Sequence, residues 1–124
     1  MWSYAQKSGA LYNPDGNIVA FGYAGKGLGK NNSAMQNIEG VGPLPCGIYA
    51  IGKPIDDAVV GKFALPLIPD PENEMFGRSA FFMHGENPAH PGQSSDGCIV
   101  QIFAIREKIS LSPDQKLQVI PGLP

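Results

Sequence analysis

The segment spanning residues 80–100 constrains the fold of this chain more than any other. An apolar run over residues 80–83 ends on His84 and Gly85, and a polar loop then leads to a second apolar run that begins at Cys98. The apolar first run predicts a strand whose end would hold His84 rigidly. Because the loop returns the chain to apolar sequence at the cysteine, we expect the histidine and the cysteine to come together.

A histidine and a cysteine brought together form a nucleophile and its base, because the imidazole takes the thiol proton and the thiolate attacks a carbonyl. A helix beginning at Cys98 would direct backbone N–H groups at the thiolate and lower its pKa. Gly97 would let the Cys98 N–H act as an oxyanion hole. The competing interpretation is a buried packing cysteine. The polar neighbours Ser95 and Asp96 favour the nucleophile.

Glycine and proline set the expected fold class. Sixteen glycines and twelve prolines in 124 residues predict many turns between short strands. Helical spacing of apolar residues appears after Cys98, over residues 99–109. We predict one compact, mainly β domain over residues 1–124, a β-sandwich or barrel with one short helix after Cys98.

Charge and hydropathy exclude several classes of partner. A net charge of −2 and a pI near 5.5 give no basic surface for nucleic acid. No apolar run approaches the roughly 20 residues of a membrane span. The opening residues Met-Trp-Ser-Tyr lack the charged and apolar regions of a secretory signal. We expect a soluble domain made in the cytoplasm, exported without a cleavable signal or cut from a larger chain.

Other interpretations of the reactive residues stay open at this point. Cys46 and Cys98 are able to form one disulfide, although a chain of this length does not need one. The two histidines, of which His90 lies in the polar loop, match no metal-binding spacing with Cys98. Glu86 and Asp96 both border the predicted site, so a carboxylate pair for glycoside hydrolysis is a minor alternative.

The site motif resembles that of a known class of enzymes. Residues 82–85 and 95–99 resemble the active-site signature of L,D-transpeptidases, in which His-Gly leads to Ser/Thr-His-Gly-Cys. Further stretches are similar to type VI secretion effectors with an L,D-transpeptidase-like domain. These stretches are residues 2–6, 29–36, 42–49 and 77–79. The resemblance spans nearly the whole chain and implies an L,D-transpeptidase-like fold.

The resemblance assigns roles to the motif residues. Cys98 matches the nucleophile and His84 the general base, while Ser95 and Gly97 match positions that shape the oxyanion environment. Asp96 departs from the pattern, because L,D-transpeptidases usually have a second histidine there. An ionised acid cannot donate a hydrogen bond, so the oxyanion hole would rest on backbone groups.

The implied reaction is acyl transfer on peptidoglycan stem peptides that contain meso-diaminopimelate. Lys30, Arg78 and Gly85 are predicted to contact the substrate, and no metal or organic cofactor is needed. The resemblance also implies a secretion apparatus, action in the periplasm of a target Gram-negative cell, and a cognate immunity protein. Two alternatives remain, a non-catalytic wall-binding or phage-structural module and a cysteine amidase or peptidase that cuts another wall bond.

Overall fold

A computed structural model describes residues 1–122, which form a mixed sheet of ten strands and one short α-helix. The strands are β1 (Trp2–Ala5), β2 (Ala10–Tyr12), β3 (Ile18–Phe21), β4 (Tyr23–Ala24), β5 (Gly47–Ile51), β6 (Ile55–Asp57), β7 (Gly61–Pro69), β8 (Phe81–His84), β9 (Ile99–Val100) and β10 (Lys116–Ile120). The helix α1 spans Phe103–Ser110, and short 3₁₀ helices span Gly27–Gly29 and Ser33–Met35. The prediction of a mainly β fold with one short helix after the cysteine is confirmed.

The first strand, β1, pairs with the last strand, β10, near the middle of the sheet. Its strand order is β3-β2-β1-β10-β5-β7-β8-β9-β4, and β6 pairs separately with β7. The pairs β1–β10 and β8–β9 are parallel, and the other pairs are antiparallel. The strand that precedes the polar loop and the strand that follows it are therefore direct neighbours.

A single large apolar cluster lies beneath this sheet. Its fully buried side chains come from most of the strands and from the helix, and they include Tyr4, Leu11, Tyr49, Leu65, Met83, Ile99, Ile109 and Leu117. Burial of such side chains is the main favourable term in folding. Within the described residues, no helix has the length and apolar character needed to cross a membrane.

The chain directly after Cys98 differs from the sequence prediction. A helix was expected to begin at the cysteine, but Ile99 and Val100 form β9 and the helix begins only at Phe103. Two β-branched residues are good strand formers, and here they pair with β8 on one side and β4 on the other. The expected pKa-lowering effect of a helix N-terminus on Cys98 is therefore absent.

Candidate active site

Cys98 is a buried thiol at the start of the ladder between β8 and β9. Its side chain is 8% exposed, and its Sγ accepts a hydrogen bond from the Phe82 N–H at 3.3 Å. The Ala80 carbonyl oxygen lies 3.9 Å from the same sulfur. Burial raises the pKa of Cys98 to about 11, and the negative charge of Asp96 acts in the same direction, whereas the Phe82 N–H opposes the shift. The resting group is a thiol at neutral pH, so a nucleophilic role requires a base.

This raised pKa predicts a loss of stability at high pH. The unfolded thiol ionises near 9.0 while the folded thiol holds its proton to about 11, so the unfolded state binds fewer protons in this range. We expect the free energy of unfolding to fall by about 2 kcal/mol in total between pH 9 and pH 11, relative to a Cys98→Ser variant. Urea unfolding of both proteins across this range measures the difference. Parallel curves would contradict the raised pKa.

His84 ends β8 as a buried, oriented imidazole. It is 5% exposed, and its Nδ1 lies 2.8 Å from the Gly85 carbonyl oxygen. Because a carbonyl only accepts, Nδ1 carries the proton and Nε2 is left to accept one. Burial lowers the pKa of His84, the Gly85 contact partly opposes this, and the charge of Arg106 lowers it further. The ring is therefore neutral at pH 7 with a basic Nε2.

His84 ends β8, and Cys98 directly precedes the neighbouring strand β9. His84 pairs with Val100, which lies two residues beyond Cys98, so the offset along the strand is about 7 Å. No hydrogen bond joins the two side chains among the described residues. A base has to reach the proton that it takes directly or through one water, so proton transfer between these side chains would need them to approach each other in a substrate complex.

Ser95 fixes the backbone of the turn that leads into Cys98. Its side chain is fully buried, and its Oγ accepts the N–H groups of Gly25 at 2.9 Å and Gly97 at 3.0 Å. The same hydroxyl donates to the Cys98 carbonyl oxygen. The Ser95 hydroxyl therefore occupies the Gly97 N–H and holds the Cys98 carbonyl, which fixes the backbone on both sides of the turn.

Gly97 is required by both its conformation and its neighbours. Its φ is +139°, and a Cβ there would lie 2.4 Å from Nη2 of Arg78 and 2.9 Å from the Phe81 ring. Any side chain would force the arginine or the turn to move. The turn before Cys98 therefore closes directly onto the guanidinium.

Arg78 ties this turn to two distant segments. The side chain is 5% exposed and stacks 5.1 Å above the Phe81 ring. Its Nη1 donates to the carbonyls of Gln36 (2.6 Å) and Pro43 (2.8 Å), and its Nη2 donates to those of Gly42 (3.0 Å) and Asp96 (3.1 Å). The guanidinium positions the backbone around Cys98. These contacts give no support to the prediction that it meets substrate carboxylates.

Gly85 also has a positioning role. Its carbonyl orients His84, and a Cβ on Gly85 would lie 2.8 Å from Nη1 of Arg106. That arginine is buried and donates to the carbonyls of Gln101 at 2.6 Å and Phe63 at 3.1 Å. A side chain at Gly85 would therefore displace the cation that helps to hold the imidazole neutral.

The charged residues of the loops lie outside the buried pair. Asp96 is exposed and forms an ion pair with Lys26, whose Nζ lies 2.6 Å from Oδ1. Lys30 is exposed, and its Nζ lies 4.3 Å above the ring of Tyr23, whose hydroxyl donates to Glu86. Glu86 and Asp96 thus engage different partners.

A small cavity lies among β4, the end of β9 and the loop after β8. Its volume is about 230 Å³, and its lining includes Phe21, Tyr23, Glu86, Gln101 and Ile102. Glu86 follows His84 by two residues, so the cavity lies just beyond the end of β8.

Sequence reasoning missed several groups of the site, namely the Phe82 N–H, the Gly85 carbonyl, Arg106 and Gln101. Backbone groups cannot be recognised from residue types. Arg106 lies in a stretch with plain helical spacing and Gln101 follows an apolar run, so neither side chain was marked as part of a site. The open question of a disulfide is settled, since Cys46 and Cys98 are both free.

One protein-family match covers the whole candidate site. The Tlde1 domain matches residues 19–118, a range that contains every predicted site residue. No curated protein and no solved structure gives a significant match to the chain. The chain therefore belongs to the Tlde1 domain family, a type VI effector family related to L,D-transpeptidases.

Proposed function

We propose that this chain is a peptidoglycan-modifying cysteine enzyme that acts on stem tetrapeptides as an L,D-carboxypeptidase, an L,D-transpeptidase that exchanges D-amino acids, or both. The observation that carries the proposal is a buried, protonated Cys98 directly before β9, the strand that pairs with β8, at whose end a neutral His84 has its Nε2 left to accept a proton. Membership of a family related to L,D-transpeptidases supports the substrate class.

In the first half-reaction, His84 Nε2 takes the thiol proton and the Cys98 sulfur attacks the carbonyl carbon of meso-diaminopimelate in the stem. The oxyanion forms against the Cys98 N–H, which the turn held by Ser95 and Arg78 keeps in place. The carbon–nitrogen bond to the terminal D-alanine breaks, and its amine leaves with the proton from His84. A thioester between Cys98 and the tripeptide remains.

In the second half-reaction, an acceptor resolves the thioester. Water gives a tripeptide, a free D-amino acid gives an exchanged tetrapeptide, and the amine of another stem gives a cross-link. His84 takes a proton from the acceptor and returns it to the sulfur as the thioester breaks. The same two residues therefore serve hydrolysis, exchange and cross-linking.

The biological setting follows from the family. As a member of a type VI effector family, the chain would be carried by the secretion apparatus and would reach stem peptides in the periplasm of a target Gram-negative cell. A cognate immunity protein would protect the producing cell. Residues 1–124 would act there as one catalytic domain.

Mass spectrometry of purified disaccharide-tetrapeptide incubated with the protein tests this function. We expect loss of the terminal D-alanine, or its replacement when another D-amino acid is added. A Cys46→Ala protein is the matched control, because it removes the other free thiol and should give the same products. Loss of the whole stem would instead indicate an amidase, and unchanged muropeptides would indicate a wall-binding module.

A further inference from the structure

Gln101 is a buried side chain with an unused hydrogen-bond donor. It is 4% exposed, and its Oε1 accepts the Ile102 N–H at 3.0 Å. Its Nε2 is buried and has no hydrogen-bond partner among the described residues. Buried amide groups are nearly always paired, because leaving one unpaired forfeits its hydration without compensation. The free N–H groups therefore indicate a partner that is absent from the chain itself.

The cavity beyond β8 gives this amide a place to meet such a partner. A Cβ on Gly22 would lie 2.2 Å from the Val100 carbonyl oxygen and 3.1 Å from Gln101 Nε2, so only glycine lets the chain pass beside the amide. Phe21 and Ile102 form apolar walls that are 66% and 65% exposed. The volume of about 230 Å³ is below the roughly 300–1,000 Å³ of pockets for drug-sized ligands, which suits one amino-acid residue.

Glu86 supplies a negative charge to the same cavity. Its carboxylate accepts the Tyr23 hydroxyl and the Gly92 N–H at 3.1 Å. Slight burial opposes the effect of these bonds, but with the Ser94 hydroxyl and the positive charge of Lys30 they lower the pKa of Glu86, so it is ionised at neutral pH. A carboxylate has about four acceptor positions, and the remaining ones are able to hold an ammonium group.

We propose that this cavity is a subsite for the zwitterionic end of an amino acid, with the carboxylate at Gln101 Nε2 and the ammonium at Glu86. The assignment rests on the proposed function of Cys98. Glu86 follows His84 by two residues, and Gln101 follows Val100, the residue that pairs with His84, so both groups of the subsite are close to the base along the chain. Two ligands share this chemistry, namely the free end of the diaminopimelate side chain and a free D-amino acid acceptor.

Binding measurements on the Cys98→Ala protein test the subsite without turnover. The probes are the tetrapeptide L-Ala-γ-D-Glu-meso-diaminopimelate-D-Ala, the same peptide with L-lysine at the third position, and free D-methionine. Gln101→Glu keeps an oxygen for the Ile102 N–H but replaces the donor with a negative charge, and Gln101→Met removes the donor without charge. Gln118→Glu makes the same change on β10, away from the cavity. Circular dichroism verifies the fold of each variant.

The two ligand sources give different patterns. If diaminopimelate occupies the subsite, both Gln101 variants raise the Kd of its tetrapeptide about tenfold or more, as expected for a hydrogen bond to a charged group. The lysine peptide, which lacks the side-chain carboxylate, would be unaffected by Gln101→Met. If a free D-amino acid acceptor occupies the subsite, the Gln101 variants weaken the binding of D-methionine only. The proposal is overturned if folded Gln101 variants bind both ligands as the Gln118→Glu protein does, or if the Cys98→Ala protein binds neither. Turnover by the unmodified protein is a separate result, so the proposed function and the subsite fail independently.

Discussion

Replacing Cys98 with alanine is expected to reduce D-alanine release from disaccharide-tetrapeptide by about 10⁴-fold or more, the scale seen when a covalent nucleophile is removed. Without the sulfur no thioester forms, and the buried site offers no second thiol, since Cys46 lies elsewhere and hydrogen-bonds to Gln6. The kcat/KM for release, followed by chromatography of the products, measures the effect. Serine at the same position should not restore activity, because a buried hydroxyl is harder to ionise than the thiol.

The matched control for this prediction is Cys46→Ala, which should keep activity within a factor of a few. Thermal unfolding of the variants separates a chemical effect from a structural one, because Cys98→Ala also removes the sulfur that accepts the Phe82 N–H. A folded Cys98→Ala protein that still released D-alanine at a comparable rate would remove the cysteine from the mechanism.

Replacing His84 with glutamine is expected to lower kcat/KM by about 10²- to 10⁴-fold, the usual contribution of a general base. The pH profile should also change. Burial lowers the pKa of His84 below 6.5, so the base is already deprotonated at pH 7 and the unmodified protein should reach its plateau below pH 6.5. The variant depends on spontaneous ionisation of Cys98, so its rate should keep rising with pH towards about 11.

His90→Gln is the control for the histidine. His90 is exposed in the loop after β8, and only its backbone takes part in the hydrogen bonds that shape the loop. Its replacement should leave both the rate and the pH profile unchanged. Equal losses in the two variants would mean that neither histidine acts specifically as the base.

Local sequence signals were sufficient for the fold class and for the strand that carries His84. Its aromatic and apolar residues specify β8 without reference to the rest of the chain. The start of the helix was predicted wrongly, because Ile99 and Val100 fit a strand and a helix equally well by spacing. Pairing with β8 and β4 decides between them, and that pairing involves residues about 16 and 76 positions away.

The site was predictable as a pair of reactive groups but not as a set of contacts. His84 and Cys98 are recognisable as candidate reactive groups from their residue types. The Gly85 carbonyl that orients the imidazole can be identified only from the three-dimensional structure. Arg78 shows the limit most clearly. Its charge suggested a substrate carboxylate, yet its partners are backbone carbonyls, most of them some 35 to 42 residues earlier in the chain.

The burial of Cys98 bears on how such a protein survives where it is proposed to work. The periplasm is an oxidising compartment, and it is the thiolate, not the thiol, that reacts with oxidants and disulfides. A sulfur that is 8% exposed and protonated up to about pH 11 offers them little to react with. In the proposed mechanism, the burial that makes a base necessary would therefore also protect the Cys98 sulfur from oxidation until a substrate reaches it.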